Sequence, residues 1–260
     1  MPRNAFGRLP RLATMNLTVS TLAQRPDLKD ELLNLENTWP EFIRHDPLGN
    51  LYYHRDILAQ FADHLVIAHT SADGIVGKAH AIPLLFQGER LPEDGWDGAI
   101  RRGIQTKVLG EVPNMLAALE IFVRSDKQGL GLSGRILDAL RQHAKDQGFA
   151  EVVVPVRPNG KNDIHDPMPS SAYRTREDGL PVDPWLRTHI RAGGTIEGIA
   201  HRSMVIAGTL EEWRNWTGLP MDTSGPVEVS GALTPVLCDI EHGNAVYIEP
   251  NVWVRHRTRV

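Results

Sequence analysis

One stretch, MLAALEIFVRSDKQGLGLSGRILDALRQHAKDQG over residues 115–148, constrains the fold of this chain more than any other. Residues 116–123 form an apolar run of strand length that stops at the polar turn Arg124, Ser125, Asp126, Lys127, Gln128. Gly129, Gly131 and Gly134 follow, and their backbone can approach a ligand closely. From Leu132 the apolar positions Leu132, Ile136, Leu137, Leu140 and Ala144 recur at helical spacing, until Gly148 stops the helix. A strand, a glycine turn and a helix that begins in that turn gather unpaired N–H groups and the positive end of a helix dipole around one point. That point suits a phosphate.

The same glycines satisfy the dinucleotide fingerprint G-x-G-x-x-G, but the context differs. In a dinucleotide fold the glycines follow the strand directly, and an acid about 20 residues on holds the ribose. Here a charged turn intervenes, and the next strand, residues 151–156, runs into Arg157, Pro158 and Asn159. A nucleotide-triphosphate loop fits worse, because Gly160-Lys161 is followed by Asn162 instead of Ser or Thr.

FVRSDKQGLGLSGRIL resembles the coenzyme A loop of the GNAT acyltransferase superfamily, in which a strand ending in valine leads through a short turn and Q/R-x-x-G-x-G/A into a helix. Gly129 and Gly131 fall on the two glycine positions. Two residues depart from the pattern: Asp126 stands where Gln or Arg is usual, and Ser125 where Pro is frequent. An acid beside a pyrophosphate is unfavourable unless it points away, and Lys127 is the neighbour that would compensate. The resemblance in order of elements spans residues 17–208. It implies an α/β, GNAT-like fold, with a mixed, mostly antiparallel central sheet flanked by helices and a β-rich C-terminal extension. The organisation expected is a loose arm over 1–14, the acyltransferase domain over 15–208 and an appended helix and strands over 209–260.

Composition excludes several classes. Hydrophobic residues at 41% and charged residues at 23% are ordinary for a globular chain, and a net charge of -4 makes no electrostatic case for nucleic acid. No apolar run reaches membrane-spanning length, and the first residues lack the core of a secretion signal. Cys238 stands alone, so a reducing, cytoplasmic setting is expected.

Along the chain, strands are expected over 15–20, 64–70 and 74–86, the last two joined by a Ser71-Ala72-Asp73-Gly74 hairpin. Helical segments lie over 25–37 and 45–62. Tyr52, Tyr53, Ile57, Leu58 and Phe61 in the second belong to the core or to a wall of the acceptor site. Residues 91–110 hold a short basic helix over 100–105, as a lid or as surface decoration. Residues 161–183 read as a long polar loop in which His165-Asp166 is a solvated pair, not a metal site. Asp183-Pro184 starts a helix that Gly193 ends, strands follow over 195–200 and 203–207, and Thr209-Leu210-Glu211-Glu212 is a capping box. The tail carries strands over 227–229, 234–239 and 245–248. Extending the sheet, covering the acceptor cleft and making a dimer contact are all open to it.

The resemblance implies acyl transfer from acetyl-coenzyme A, or another acyl-coenzyme A, to an amine by direct attack. It calls for no covalent enzyme intermediate and no metal. Phe122, Val123, Lys127, Gln128, Gly129, Leu130, Gly131, Leu132, Ser133 and Gly134 would hold the cofactor, and Asn159 the pantetheine amides. Glu120 is the nearest strand carboxylate and the candidate base, on the strand face opposite Ile121 and Val123. The superfamily's Y-x-x-x-G-F tyrosine, which protonates the departing sulfur, is replaced on counting back from Gly193 by His189. Tyr173 is the fallback donor. A small-molecule amine is the expected acceptor. Two other readings stay open: a coenzyme A or phosphate-ligand binding protein without turnover, and nicotinamide-dependent oxidoreduction resting on GLGLSG.

Overall fold

The strand that precedes the glycine turn sits fourth in a nine-stranded sheet, in a computed structural model that describes residues 16–258. The arm expected over 1–14 lies outside those residues. In chain order the elements are β1 (Thr18–Thr21), α1 (Lys29–Leu33), α2 (Pro47–Tyr53), α3 (Arg55–Leu58), β2 (Leu65–Thr70), β3 (Gly74–Leu84), α4 (Gly95–Leu109), β4 (Met115–Val123) and α5 (Leu132–Asp146). There follow β5 (Glu151–Val156), α6 (Met168–Ala172), α7 (Pro184–Arg191), β6 (Thr195–Thr209), α8 (Leu210–Thr217), β7 (Gly225–Val227), β8 (Val236–Asp239) and β9 (Asn244–Arg257). No helix among the described residues is long and apolar enough to cross a membrane.

The strands run in the order β1-β2-β3-β4-β5-β9-β8-β7, with β6 also on β9. Every pair is antiparallel except β4 with β5. Alternation along the strands makes two cores. On one face Ile67, Ile75, Ile82 and Leu119 pack with Tyr52, Trp96, Ile100 and Trp213, under the N-terminal helices, α4 and α8. On the other, Val66, Val76, Leu116 and Val152 meet Leu132, Ile136 and Leu140 of α5 and Leu186 of α7. Leu132, Ile136, Leu137, Leu140 and Ala144 are all buried, as their spacing predicts. Each large aliphatic among them contributes about 1.5–3 kcal/mol.

The short helix expected over 100–105 is instead the 15-residue α4. Gly95, Trp96, Asp97 and Gly98 look like a break, yet they let the helix start close to β6: Trp96 N donates to Ser203 Oγ at 2.8 Å, and a Cβ on Gly95 would lie 2.1 Å from that oxygen. Gly103 presses on Ile82 in the same way. α4 is therefore packed scaffold, not a lid. Asp97 in its first turn accepts from Val205 N at 3.0 Å, and Asp46, which caps α2, accepts from Gly49 N at 2.6 Å. The second oxygen of each is buried without a hydrogen-bond partner, and the two carboxyls act on each other. Burial pushes both pKa values up, Asp97 furthest, so the pair shares a proton.

The strands expected over 195–200 and 203–207 are one strand, β6, with a register shift between Ala200 and Met204. Residues 161–183 contain α6, and His165 and Asp166 are paired separately, with Glu228 and Arg174. β9, expected over 245–248, is longer. It runs through Pro250 to Arg257, with β6 along one edge and both β8 and β5 along the other, at opposite ends. Pro250 falls between those two partners and opposite the irregularity in β6, where the ladder asks for no N–H. Of the roles open to the C-terminal extension, it extends the sheet, with β9 as an inner strand.

Candidate active site

β4 and β5 pair only at Leu116 with Val152 and Ala117 with Val153, then diverge. The gap opens a cleft of about 430 Å³, walled by residues 118–123 of β4, Val154, Pro155 and Val156 of β5, and the turn before α5. N–H groups on that edge of β4 past Ala117 have no β5 partner.

A bulge sets the chemistry of the β4 wall. His80 pairs with Glu120 but Ala81 with Ala118, so Leu119 is extra, and its carbonyl accepts from Trp96 Nε1 at 2.9 Å. Leu119 and Glu120 then lie towards the same layer, while Ile121 and Val123 face the α5 core. Glu120 Oε1 accepts from Trp39 Nε1 at 3.1 Å, and Oε2 from Tyr53 Oη at 3.2 Å. Lys78 Nζ is 3.2 Å and His80 Nε2 3.8 Å from Oε2. Burial alone would raise the pKa of Glu120, but the Lys78 ammonium and the Trp39 hydrogen bond oppose it and the carboxyl is held below its ordinary value. Burial, aided by Lys78, lowers His80 to about 3, so its ring is neutral.

The glycine turn has the expected form. Gly129 (φ 77°) and Gly131 (φ 71°) are left-handed, and Gly131 stands immediately before α5. A Cβ at Gly129, Gly131 or Gly134 would touch nothing, which leaves the cradle open. Asp126 turns to Arg124, whose Nε lies 2.6 Å from Oδ1, and stays out of the cleft lining. Lys127 is held by Asp73 at 2.8 Å. Phe122, Val123, Lys127, Gln128, Gly129, Gly131, Leu132, Ser133 and Asn159 all border the cleft; Leu130 and Gly134 do not. Those residues, with the start of α5 and the free β4 edge, fit a pyrophosphate and a pantetheine arm.

The two proton donors expected from sequence lie elsewhere. His189 is fully buried, with Nδ1 2.9 Å from His256 Nε2 and its ring edge against Trp185. Burial, with help from His256, lowers its pKa to about 3, and it does not border the cleft. α7 turns His189 inward with Leu186 and presents Trp185 to the cleft instead. Tyr173, at the end of α6, is 53% exposed and also off the cleft. Among the described residues the lining holds no tyrosine, histidine or cysteine.

Sequence reasoning missed Trp39, Lys78 and His80 around Glu120, and Arg157, Glu249 and Asn251, which border the cleft from beyond β5 and from β9. Tyr53 was within the aromatic group noted at 52–61, whose other tyrosine, Tyr52, is core. Nothing local marks Glu249, since only strand pairing brings it to the cleft.

Measured against known proteins, the chain is 33% identical over 271 residues to the arginine N-acetyltransferase avaD of Aspergillus versicolor, with 92% of this chain and 93% of that one covered. No family model matches the chain. The solved loading GNATL domain of CurA from Lyngbya majuscula shares the fold, at TM-score 0.57 and 19% identity over 94% of this chain and 97% of that one. The GphF GNAT-like decarboxylase in complex with isobutyryl-CoA does so at TM-score 0.54 and 17% identity, over 94% and 100%.

Proposed function

Since this chain belongs to the GNAT acyltransferase superfamily, we propose that it moves an acetyl or other acyl group from acyl-coenzyme A to the amine of a small molecule, with arginine as the acceptor to test first. One observation carries the reading: β4 and β5 separate directly beside a left-handed glycine turn at a helix start. A thioester arm enters such a gap, while the turn's N–H groups hold the diphosphate.

The chemistry follows from the residues that line the gap. Glu120, ionised and fixed by Trp39, Tyr53 and Lys78, takes a proton from the acceptor ammonium, directly or through one water. The freed nitrogen pair attacks the thioester carbonyl carbon, so a C–N bond forms as the carbonyl becomes an oxyanion. A β4 N–H past Ala117, left without a β5 partner, receives that oxygen. Collapse breaks the C–S bond and releases a thiolate. A thiol of pKa about 8.5 leaves without a strong acid, so solvent supplies its proton, in keeping with a lining that holds no tyrosine or histidine among the described residues. Amine and thioester share one cleft, and no enzyme nucleophile is needed.

An acid at the pyrophosphate site and the missing tyrosine are what would favour a reading without turnover. Asp126 is neutralised by Arg124 outside the cleft, which removes its first support. The nicotinamide reading needs a doubly wound parallel sheet, and a single parallel pair of two rungs is present. A reducing compartment such as the cytoplasm belongs to this proposal on the strength of the free, buried Cys238.

Thiol release from acetyl-coenzyme A with arginine and an amine panel tests the reading. Acyl transfer is expected, together with a raised melting point in coenzyme A and none in NAD or NADP. Stabilisation by coenzyme A with no transfer to any amine would leave a binding protein.

A further inference from the structure

Beyond Glu120, the cleft is bordered by a second ion pair. Arg157, just past β5, donates from Nε to both oxygens of Glu249 on β9, at 2.9 and 3.1 Å. Glu249 is fully buried. Tyr247 Oη donates to its Oε2 at 2.7 Å and Asn251 Nδ2 to its Oε1 at 3.0 Å, so its acceptor capacity is spent inside the protein. Arg157 Nη2 donates to the Gly231 carbonyl. One edge of the guanidinium is thereby clamped. Nη1 has no partner among the described residues, on a side chain 22% exposed that borders the cleft. A buried ion pair adds little net stability, but it fixes direction. Here it holds a planar, permanently charged donor in the lining of the cleft, with Nη1 left over for a ligand.

The geometry points to Arg157 as the group that binds a carboxylate of the acceptor, so that the enzyme takes amino acids in preference to amines lacking an acid. This rests on the N-acyltransferase reading above. Glu120 and Arg157 both border the cleft, and the charge of each is balanced by an ion-pair partner, Lys78 and Glu249, the latter with its acceptors already spent. A zwitterion enters without net charge, its ammonium towards Glu120 and its carboxylate towards Arg157. A plain polyamine leaves the Nη1 hydrogens without an acceptor, and a site built to hydrogen-bond a group discriminates strongly against analogues lacking it.

The test uses the wild-type protein saturated with coenzyme A. Trp39, Trp96 and Trp185 border the cleft, so tryptophan fluorescence reports acceptor binding without turnover. Titrations compare arginine with agmatine and argininamide, and ornithine with putrescine; kcat and KM are measured with acetyl-coenzyme A for the same pairs. Acids are expected to bind roughly 10 to 200-fold more tightly than their acid-free partners, the difference residing in KM. In Arg157→Gln that ratio should fall towards one. Because Gln strands a buried Glu249, Arg157→Lys serves as the folded control: it keeps the charge, loses the fork, and should retain only part of the preference. Equal binding of acid and acid-free partners, no binding of any amino acid, or a preference that survives both variants would each overturn the assignment. Absence of thiol release alone would strike the N-acyltransferase reading, while the titrations would still decide the carboxylate.

Discussion

Trp39 Nε1 donates to Glu120 Oε1 at 3.1 Å, linking two residues 81 positions apart and fixing the carboxylate in the wall of the cleft. If Glu120 is the base, Glu120→Gln should lower kcat by about 10² to 10⁴-fold while acyl-coenzyme A still protects the protein from melting. Trp39→Phe removes one hydrogen bond to a charged group, about 1.5–3 kcal/mol, and should lower kcat/KM by roughly 10 to 100-fold. Steady-state kinetics with thermal melts separate these losses from unfolding.

The pH profile should carry the sign of the Glu120 environment. Its carboxyl is held below the ordinary value of 4.5, so it is ionised throughout the neutral range. With Glu120 already ionised to receive the acceptor ammonium and its proton, no acid limb from Glu120 is expected in the neutral range. An acid limb near pH 6 that disappears in Glu120→Gln would overturn this assignment.

Gly131 and Gly134 should respond in opposite directions to alanine. At Gly131 the left-handed backbone makes a Cβ cost about 1–2 kcal/mol, and the KM for acyl-coenzyme A should rise with it. At Gly134, inside α5 with open space around the missing Cβ, alanine should stabilise by about 0.5–1 kcal/mol. Melting curves and KM measured on both variants decide the matter.

The shared proton of Asp46 and Asp97 makes stability fall with rising pH. Asp97, at 3.8 when exposed, is pushed up to about 8, so the native state holds more protons than the unfolded chain between those values. The contribution is complete at the acid end and lost as pH rises through the folded value. Asp97→Asn would keep the Val205 hydrogen bond and donate to Asp46. Its melting temperature should exceed that of wild type by a few degrees at pH 8.5, with the advantage gone at pH 5.

His189→Ala should lower the melting temperature, because it empties a buried site beside His256 and Trp185, yet leave the pH dependence of kcat where it was. A pH limb that vanishes with His189 would restore it to the mechanism.

What was legible in the sequence was local. The run from 115 to 148 states its strand, turn and helix through neighbours within four residues, and the capping box at Thr209 and Glu212 forms as written. What was hidden depends on pairing over long separations. Arg157 meets Glu249 across 92 positions, and β9 takes its place only because β5, β6 and β8 all ladder onto it. His189 shows the limit of counting within a motif: the offset from Gly193 finds the residue, but the packing of α7 decides which way it points.

The position of β9 also bears on how the protein is made. Until residues 244–257 have left the ribosome, β5 and β6 each present a bare edge, and β8 has β7 alone. Such edges template pairing between chains. Expression should therefore depend on chaperones and temperature more than the finished fold's tight interior would lead one to expect, with nascent chains stalled short of that segment the first to aggregate.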